Sequence, residues 1–395
     1  MNFKITGIQF RSIFNSNGGR TIEVGVCIND NFWGTGSAPA AIKAGRLEKI
    51  RTDCSYFSNH SLEQPISKAI VGKCYTDQKD FDDDIDLLNR RYKLGSDLTL
   101  SLSIAFCRAS ASLMKIPLFK YISDISQSDI NMPYPMANIF SGGVHSNRVS
   151  TPFQQIMVIP KYDELQKNFE TIVTIYSAIE KRMKESSKLV SYSSSSGMLV
   201  HEVCYDEMFK MIYSEITKTP EGKYIRIGVD VAAEHLLLPN GNYIYNGEEI
   251  SPDTMQKEII KLVERYNIFY IEDPFDSKDS QQWKNFSSHY ESSALIVGDD
   301  LFATNANNIE EGLANGILLK MNQIGSISGT LAAAKKAKDL GLTLCVSHRS
   351  LETEDTAMCD LAVGIGAEYI KIGGPRRGDR INKYNQLIRI NELIR

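Results

Sequence analysis

Asp230, Glu272, Asp299, Lys320, the Ser347-His348-Arg349-Ser350 cluster and Lys371 share one feature: each directly follows a short apolar run. Carboxylates are hard oxygen ligands, suited to a divalent cation such as Mg2+ with water completing its shell. A lysine buried near other positive charges loses its proton more readily, which a general base working near neutral pH requires. A planar arginine fork suits phosphate. Such a set can hold a metal and an anionic substrate and move a proton, provided the fold brings its members together.

The apolar runs show how that happens. Residues 225–229 precede Asp230, 268–271 precede Glu272, 294–298 precede Asp299 and Asp300, 317–319 precede Lys320, 343–346 precede Ser347, and 369–370 precede Lys371. Short β-branched and aromatic runs of this kind read as buried parallel strands. The intervening segments, such as 254–265 and 328–340, carry a helical pattern, and one strand plus one helix fits each repeat. Polar residues at the carboxyl ends of such strands converge on one mouth of a (β/α)8 barrel.

The blocks GVDVAA (228–233), IEDPF (271–275), VGDDLFATN (297–305), LLKMNQIGSIS (318–328), VSHRSLETEDT (346–356) and KYNQLIRI (383–390) together resemble the enolase family. The resemblance covers nearly the whole chain and is strongest from about residue 225 onward. It implies an α/β fold: an enolase-type β/α (TIM-like) barrel over residues 128–395, capped by a smaller N-terminal α+β domain over residues 1–127. The barrel should begin with two strands and two helices before regular alternation. By the same resemblance, Asp230, Glu272 and Asp299 bind Mg2+, Lys320 is the base, and Lys371 binds the substrate carboxylate. Arg349 and Ser350 contact phosphate, His348 orients the substrate, and Asp300 holds Lys320 or Lys371 in place. His145 matches the family's histidine after Gly-Gly.

The chain departs from the family where the second half of the dehydration is performed. The family's Gln-Glu pair reads Gln154-Gln155, and the position of the glutamate that helps expel the hydroxide is Ser195. An amide exchanges hydrogen bonds but moves no proton, and an unaided serine hydroxyl is no general acid. The family's mobile Ser-Gly-Ala-Ser-Thr loop reads Ser37-Ala38-Pro39-Ala40-Ala41, without the hydroxyl that ligates a second magnesium ion. The glycine after SHRS is Leu351, a residue that would crowd the phosphate side. The expected chemistry is therefore a Mg-dependent lyase type: α-proton abstraction from a small phosphorylated carboxylic acid of the 2-phosphoglycerate/phosphoenolpyruvate type, with weakened dehydration. Replacement acids could be His145, His201 or Glu202. The alternatives are a homologue repurposed for a related phospho- or phosphono-carboxylate, and a non-catalytic binding protein on the same frame.

The rest of the chain is read more simply. Residues 4–32 form a hairpin around Asn15-Ser16-Asn17-Gly18-Gly19. Gly34-Thr35-Gly36 is a weak phosphate-cradle signal. Residues 62–125 are helical, with Leu102, Ala105, Phe106 and Ala109 forming a core stripe. The serine run 193–196 reads as a flexible loop. A net charge of −4 favours neither nucleic acid nor an anionic membrane. No apolar run approaches a membrane span, and the N-terminus lacks a signal-peptide core. Seven cysteines without a CxxC pair read as buried free thiols in the cytoplasm. A homodimer or higher homo-oligomer is expected, with Glu23 and Arg389 in segments that resemble the family's intersubunit contact.

Overall fold

The computed structural model describes residues 2–42, 45–52, 62–143, 151–290 and 293–394. His145 and Cys54 lie outside the described residues. The chain opens with a hairpin of β1 (Phe3–Phe14) and β2 (Arg20–Ile28), extended by β3 (Phe32–Ser37) and, on the other edge, β4 (Cys74–Tyr75). The Asn15 carboxamide closes the turn by accepting from the N–H groups of Asn17 (3.0 Å) and Gly19 (3.1 Å). Helices α1 (Glu63–Ile70), α2 (Gln78–Tyr92), α3 (Ser96–Met114) and α4 (Leu118–Ser126) follow.

The central helix of this region is α3, which is buried along most of its length. Its Leu102, Ala105, Phe106 and Ala109 join the core of the N-terminal sheet, while Leu100, Ile104 and Cys107 join the core of the barrel. The glycines of β3 serve this packing. A Cβ at Gly34 would lie 2.2 Å from the Ala105 carbonyl and one at Gly36 2.4 Å from that of Ser101. The Gly-Thr-Gly sequence is thus a strand pressed against a helix, not a phosphate cradle.

The second region is a closed eight-stranded barrel of β5 (Tyr134–Ser141), β6 (Gln155–Pro160), β9 (Ile225–Asp230), β12 (Tyr270–Glu272), β13 (Leu295–Gly298), β14 (Gly316–Leu319), β15 (Thr343–Ser347) and β16 (Tyr369–Lys371). Strand β6 runs antiparallel to both β5 and β9, and every other barrel pairing is parallel, including the closing pair β16–β5. Two strands and then two helices, α5 (Leu165–Glu185) and α6 (Tyr205–Lys218), precede regular alternation, as the resemblance implies. A hairpin of β7 (Leu189–Tyr192) and β8 (Met198–Val200) joins β5 beside the mouth, and a ribbon of β10 (Tyr243–Tyr245) and β11 (Glu248–Ile250) follows β9.

The outer helices include α7 (Pro252–Tyr266), α8 (Ser280–His289), α10 (Ile327–Asp339) and α11 (Ala357–Gly364), with the short α9 (Met321–Ile324) after β14 and α12 (Gly378–Ile394) at the C-terminus. Their starts follow local chemistry. Ser251 caps α7 ahead of Pro252, and Ser326 caps α10. The barrel interior is filled away from the mouth by Met136, Met157, Tyr270, Leu295, Val297 and Leu318 among others. Above this packed floor the polar side chains gather at the carboxyl ends of the parallel strands and at Gln155, the amino end of the antiparallel β6.

No single helix among the described residues is long and apolar enough to cross a membrane. Of the six described cysteines, Cys27, Cys107, Cys345 and Cys359 are buried, but Cys74 and Cys204 are exposed, contrary to the uniform burial expected.

Candidate active site

The mouth holds a polar cavity of about 60 Å³. Gln154, Gln155, Ser195, Asp230, Asp299, Asp300, Lys320, His348, Arg349, Ser350 and Lys371 all line it, so the described site residues converge except Glu272, which lies just behind. The parallel register explains this: Asp230 pairs with Glu272 across β9 and β12, and Ser347 with Lys371 across β15 and β16.

The Lys371 ammonium is the hub of one half. It donates to Asp230 Oδ2 at 2.8 Å and to both Glu272 oxygens, at 2.9 and 2.7 Å. The Tyr270 hydroxyl donates to Glu272 Oε2 at 2.7 Å, joining the barrel floor to the site. Burial, then the adjacent Asp230 charge, pushes Glu272 up to about 7. Lys371 is held above the usual lysine range because Asp230 and Glu272 outweigh its burial.

The other half is organised by Asp273, whose backbone takes a left-handed φ of 43°. Its carboxylate accepts from the N–H groups of Asp299 and Asp300, both at 2.9 Å, and thereby shapes the turn that presents those acids. Asp299 pairs with the Lys320 ammonium and accepts from Gln323 Nε2 at 2.9 Å. Burial would raise Asp299, but the Lys320 charge more than offsets it and holds the carboxyl below its usual range. Burial, then Asp299, pushes Asp300 up to about 8. Lys320 differs from expectation: burial does lower it, yet the Asp299 charge wins and the ammonium sits above its ordinary value. Asp299, rather than Asp300, is the lysine's bonded partner.

Around this cavity the carboxylates of Asp230, Glu272, Asp273, Asp299, Asp300 and Glu48 face the cations Lys320, Lys371 and Arg349. An excess of buried negative charge of this kind is unfavourable unless a further cation enters. Oxygen-only donors are the chemistry a hard divalent ion prefers, so the acids fit a metal. Oxygens of Asp273, Asp299 and Asp300 also lie within 4.8 Å of one another. Since both Asp273 oxygens are engaged by backbone N–H groups, its part is to support the other acids.

Arg349 and His348 form the opposite wall. Arg349 Nη2 donates to both Glu48 oxygens at 2.9 Å, while its buried Nη1 has no hydrogen-bond partner among the described residues. A buried, open guanidinium donor on a cavity wall is a ready anion contact. His348 is driven well below its usual range by burial, then by the Arg380 charge, and is therefore neutral. Arg380, fully buried, donates to His348 Nδ1 and to the carbonyls of Arg349 and Ser350 at 2.8 Å, and to that of Ser194 at 2.9 Å.

Sequence reading missed Arg380, Glu48, Gln323 and His235. Each lies in a loop, a helix start or a short helical segment outside the strand ends; only Gln323 falls inside one of the quoted blocks, 318–328. His235 follows Asp230 on a short helical turn and lines the mouth.

The departures are equally placed. Gln155 is buried at the cavity with its Oε1 unpartnered among the described residues, and Gln154 Nε2 reaches Asp230 Oδ2 at 3.3 Å. Ser195 is buried against Asn138 Nδ2 (3.1 Å) and Ser193 Oγ (3.1 Å). The serine run is thus a packed, hydrogen-bonded wall, with Ser193, Ser195 and Ser196 all buried, and not an open loop. His201 bonds the Ser187 carbonyl at 2.9 Å, and neither it nor Glu202 lines the cavity.

The N-terminal region completes the mouth. Ala41, Ile42 and Glu48 line the cavity, and Ala40 and Leu351 exchange backbone hydrogen bonds of 2.7 and 2.8 Å. Leu351 thus ties the segment around Ala40 to the barrel.

The sequence matches the family description "Enolase, N-terminal domain" over residues 5–122 and "Enolase, C-terminal TIM barrel domain" over residues 129–395. A curated relative, the enolase of Archaeoglobus fulgidus, is 31% identical over an alignment covering 99% of this chain and 98% of its own length. With both halves matched and the strand-end acids and lysines gathered in one mouth, the chain belongs to the enolase family.

Proposed function

We propose that this protein removes the α-proton of a small phosphorylated carboxylic acid of the 2-phosphoglycerate type, with Mg2+ as its cofactor, and that dehydration of 2-phosphoglycerate itself is weak in it. The carrying observation is the pairing in one cavity of Lys320, Lys371 and the strand-end acids with Gln155 and Ser195, neither of which can serve as a proton-transferring acid. Asp230, Glu272 and Asp299 would hold the ion, which supplies positive charge to the carboxylate of an enediolate when bound.

The chain's own groups do the rest. Lys320 accepts the α-proton. It must first be neutral, and its base strength emerges only when the Asp299 charge is engaged elsewhere. Lys371 places an ammonium beside the carboxylate. Arg349, through its open Nη1, and Ser350 bind the phosphate, and neutral His348 donates from Nε2. Gln155 and Ser195 orient the β-position by hydrogen bonds without moving its proton. A cytoplasmic dimer remains part of this proposal. Within the chain, Glu23 pairs with Arg11 at 2.9 Å.

The test is proton NMR in heavy water with Mg2+ and 2-phosphoglycerate, alongside the absorbance of phosphoenolpyruvate. Exchange at C2 with little elimination is the expected result. Elimination at a rate that keeps pace with exchange would overturn the proposed weakness, and absence of exchange would overturn the assigned chemistry.

A further inference from the structure

Each acid assigned to the cation also accepts from an uncharged side chain, and each such donor reaches one oxygen. The Tyr270 hydroxyl donates to Glu272 Oε2 at 2.7 Å, and Gln323 Nε2 donates to Asp299 Oδ1 at 2.9 Å. Gln154 Nε2 reaches Asp230 Oδ2 at a longer 3.3 Å. The first two donors are held rigidly. Tyr270 rises from the barrel floor and is fully buried. Gln323, on α9, is braced from behind: the Lys320 N–H donates to Thr304 Oγ1 at 2.8 Å, and the Thr304 hydroxyl donates to Gln323 Oε1 at 2.6 Å. A carboxylate offers no donor, so the amide must turn its NH2 to Asp299 and its carbonyl to Thr304. Both Thr304 and Gln323 are buried. The oxygens left over are ones the ammonium groups already use. Lys320 pairs with Asp299 Oδ2, and Lys371 reaches Glu272 Oε1 at 2.9 Å as well as Oε2.

We propose that Tyr270 and Gln323 are positioning residues that hold Glu272 and Asp299 to one coordinating oxygen each, and so select a small six-coordinate cation over a larger one. This rests on the Mg2+ reading above and adds what sets the choice of ion. Magnesium demands a near-ideal octahedron and keeps several waters, so single oxygens from separate acids suit it. Calcium takes six to eight oxygens and often both from one carboxylate. An ion that takes both oxygens competes with the Tyr270 hydroxyl and the Gln323 amide, whereas an ion that takes one does not. Neither donor carries charge, so they restrict the geometry of the acids without offsetting their attraction for a cation. Groups hydrogen-bonded to metal ligands act in this way on orientation and affinity.

The experiment is calorimetric titration of the full-length, chelator-treated protein with magnesium chloride and with calcium chloride. The readout is the ratio of the calcium Kd to the magnesium Kd. Wild-type protein should bind magnesium more tightly. Tyr270→Phe removes only the hydroxyl, and Gln323→Met keeps the length of the side chain while removing its amide. In each variant the ratio should fall by about tenfold, the scale on which hydrogen-bond partners of metal ligands act. A loss of packing alone weakens both ions alike and leaves the ratio where it was. Asp299→Asn identifies the heat that belongs to this site, and should abolish it. Calcium binding as tight as magnesium in the wild type, or a ratio unchanged in the two variants, overturns the inference and leaves the magnesium reading standing. Magnesium heat that survives Asp299→Asn overturns the assignment of the acids, and this inference with it.

Discussion

Arg380 donates from Nη1 to Nδ1 of His348 across 2.8 Å, and both side chains are buried. A guanidinium has no acceptor, so His348 must present a bare Nδ1 and carry its proton on Nε2. The same guanidinium holds three carbonyls from the 349–350 segment and the serine run. Arg380→Ala would strand four acceptors, a loss of more than about 3 kcal/mol in unfolding free energy. Arg380→Lys should recover part of the stability, because it restores a cationic donor but not the fork that reaches several acceptors at once. Nitrogen NMR of His348 in the wild-type protein should show an unprotonated Nδ1 throughout pH 6–8, and titration of His348 itself in that interval would contradict the assignment.

The Gln155 amide exchanges hydrogen bonds but cannot transfer a proton, and Glu is nearly isosteric with it. Gln155→Glu should raise phosphoenolpyruvate formation from 2-phosphoglycerate by about a hundredfold or more, the usual contribution of a positioned acid. Ser195→Glu should add less. Its site is packed against Asn138 and Ser193, so overpacking should cost about 1–3 kcal/mol. An unchanged elimination rate in the double variant would show that these two losses are not the block.

Lys320→Met removes the only base assigned to the α-proton. Hydrogen exchange at C2 should fall by about 10²–10⁴-fold, whereas phosphate-dependent binding of 2-phosphoglycerate at Arg349 should persist in calorimetry. Exchange that survives the substitution would assign the base elsewhere.

Lys371 neutralises Asp230 and Glu272 where neither is exposed to water. Lys371→Met should therefore destabilise the metal-free protein by about 3–5 kcal/mol, the usual result of stranding a buried charge. Added Mg2+ should recover part of that loss, because the acids regain a positive partner. Denaturant melts with and without the ion measure both effects, and equal loss in the two conditions would exclude these acids as its ligands.

The raised carboxyls fix the pH dependence of the metal-free protein. Glu272 moves up to about 7 and Asp300 to about 8, so between the ordinary carboxyl range and these values the folded state binds more protons than the unfolded one. Stability should then fall as pH rises through that window and level off above it. Asp300→Asn should flatten the upper part of the slope. A melting temperature that climbs from pH 5 to pH 8 without Mg2+ would contradict the charge excess.

The barrel was legible because its strands are short, apolar and each closed by a polar residue, a pattern set by local burial. Asp230, Glu272, Asp299, Lys320, Arg349 and Lys371 could be placed in one mouth from that pattern and from the family's blocks. The reach of the N-terminal region was less so. Glu48 meets Arg349 across some 300 positions, a distance no local pattern encodes.

What the chain alone determined was the succession of strands and helices, the residues at the strand ends, and the absence of an acid at Gln155 and Ser195. Tertiary structure decided which charges meet. Lys320 keeps its proton because the Asp299 charge faces it and outweighs burial, which acts in the opposite direction. The serine run is a wall because Asn138, Ser141 and Tyr176 bond to it, although its composition alone suggests solvent. Pairwise electrostatics and burial depend on distances in space, and those emerge only when the barrel closes and the N-terminal loop is laid across its mouth.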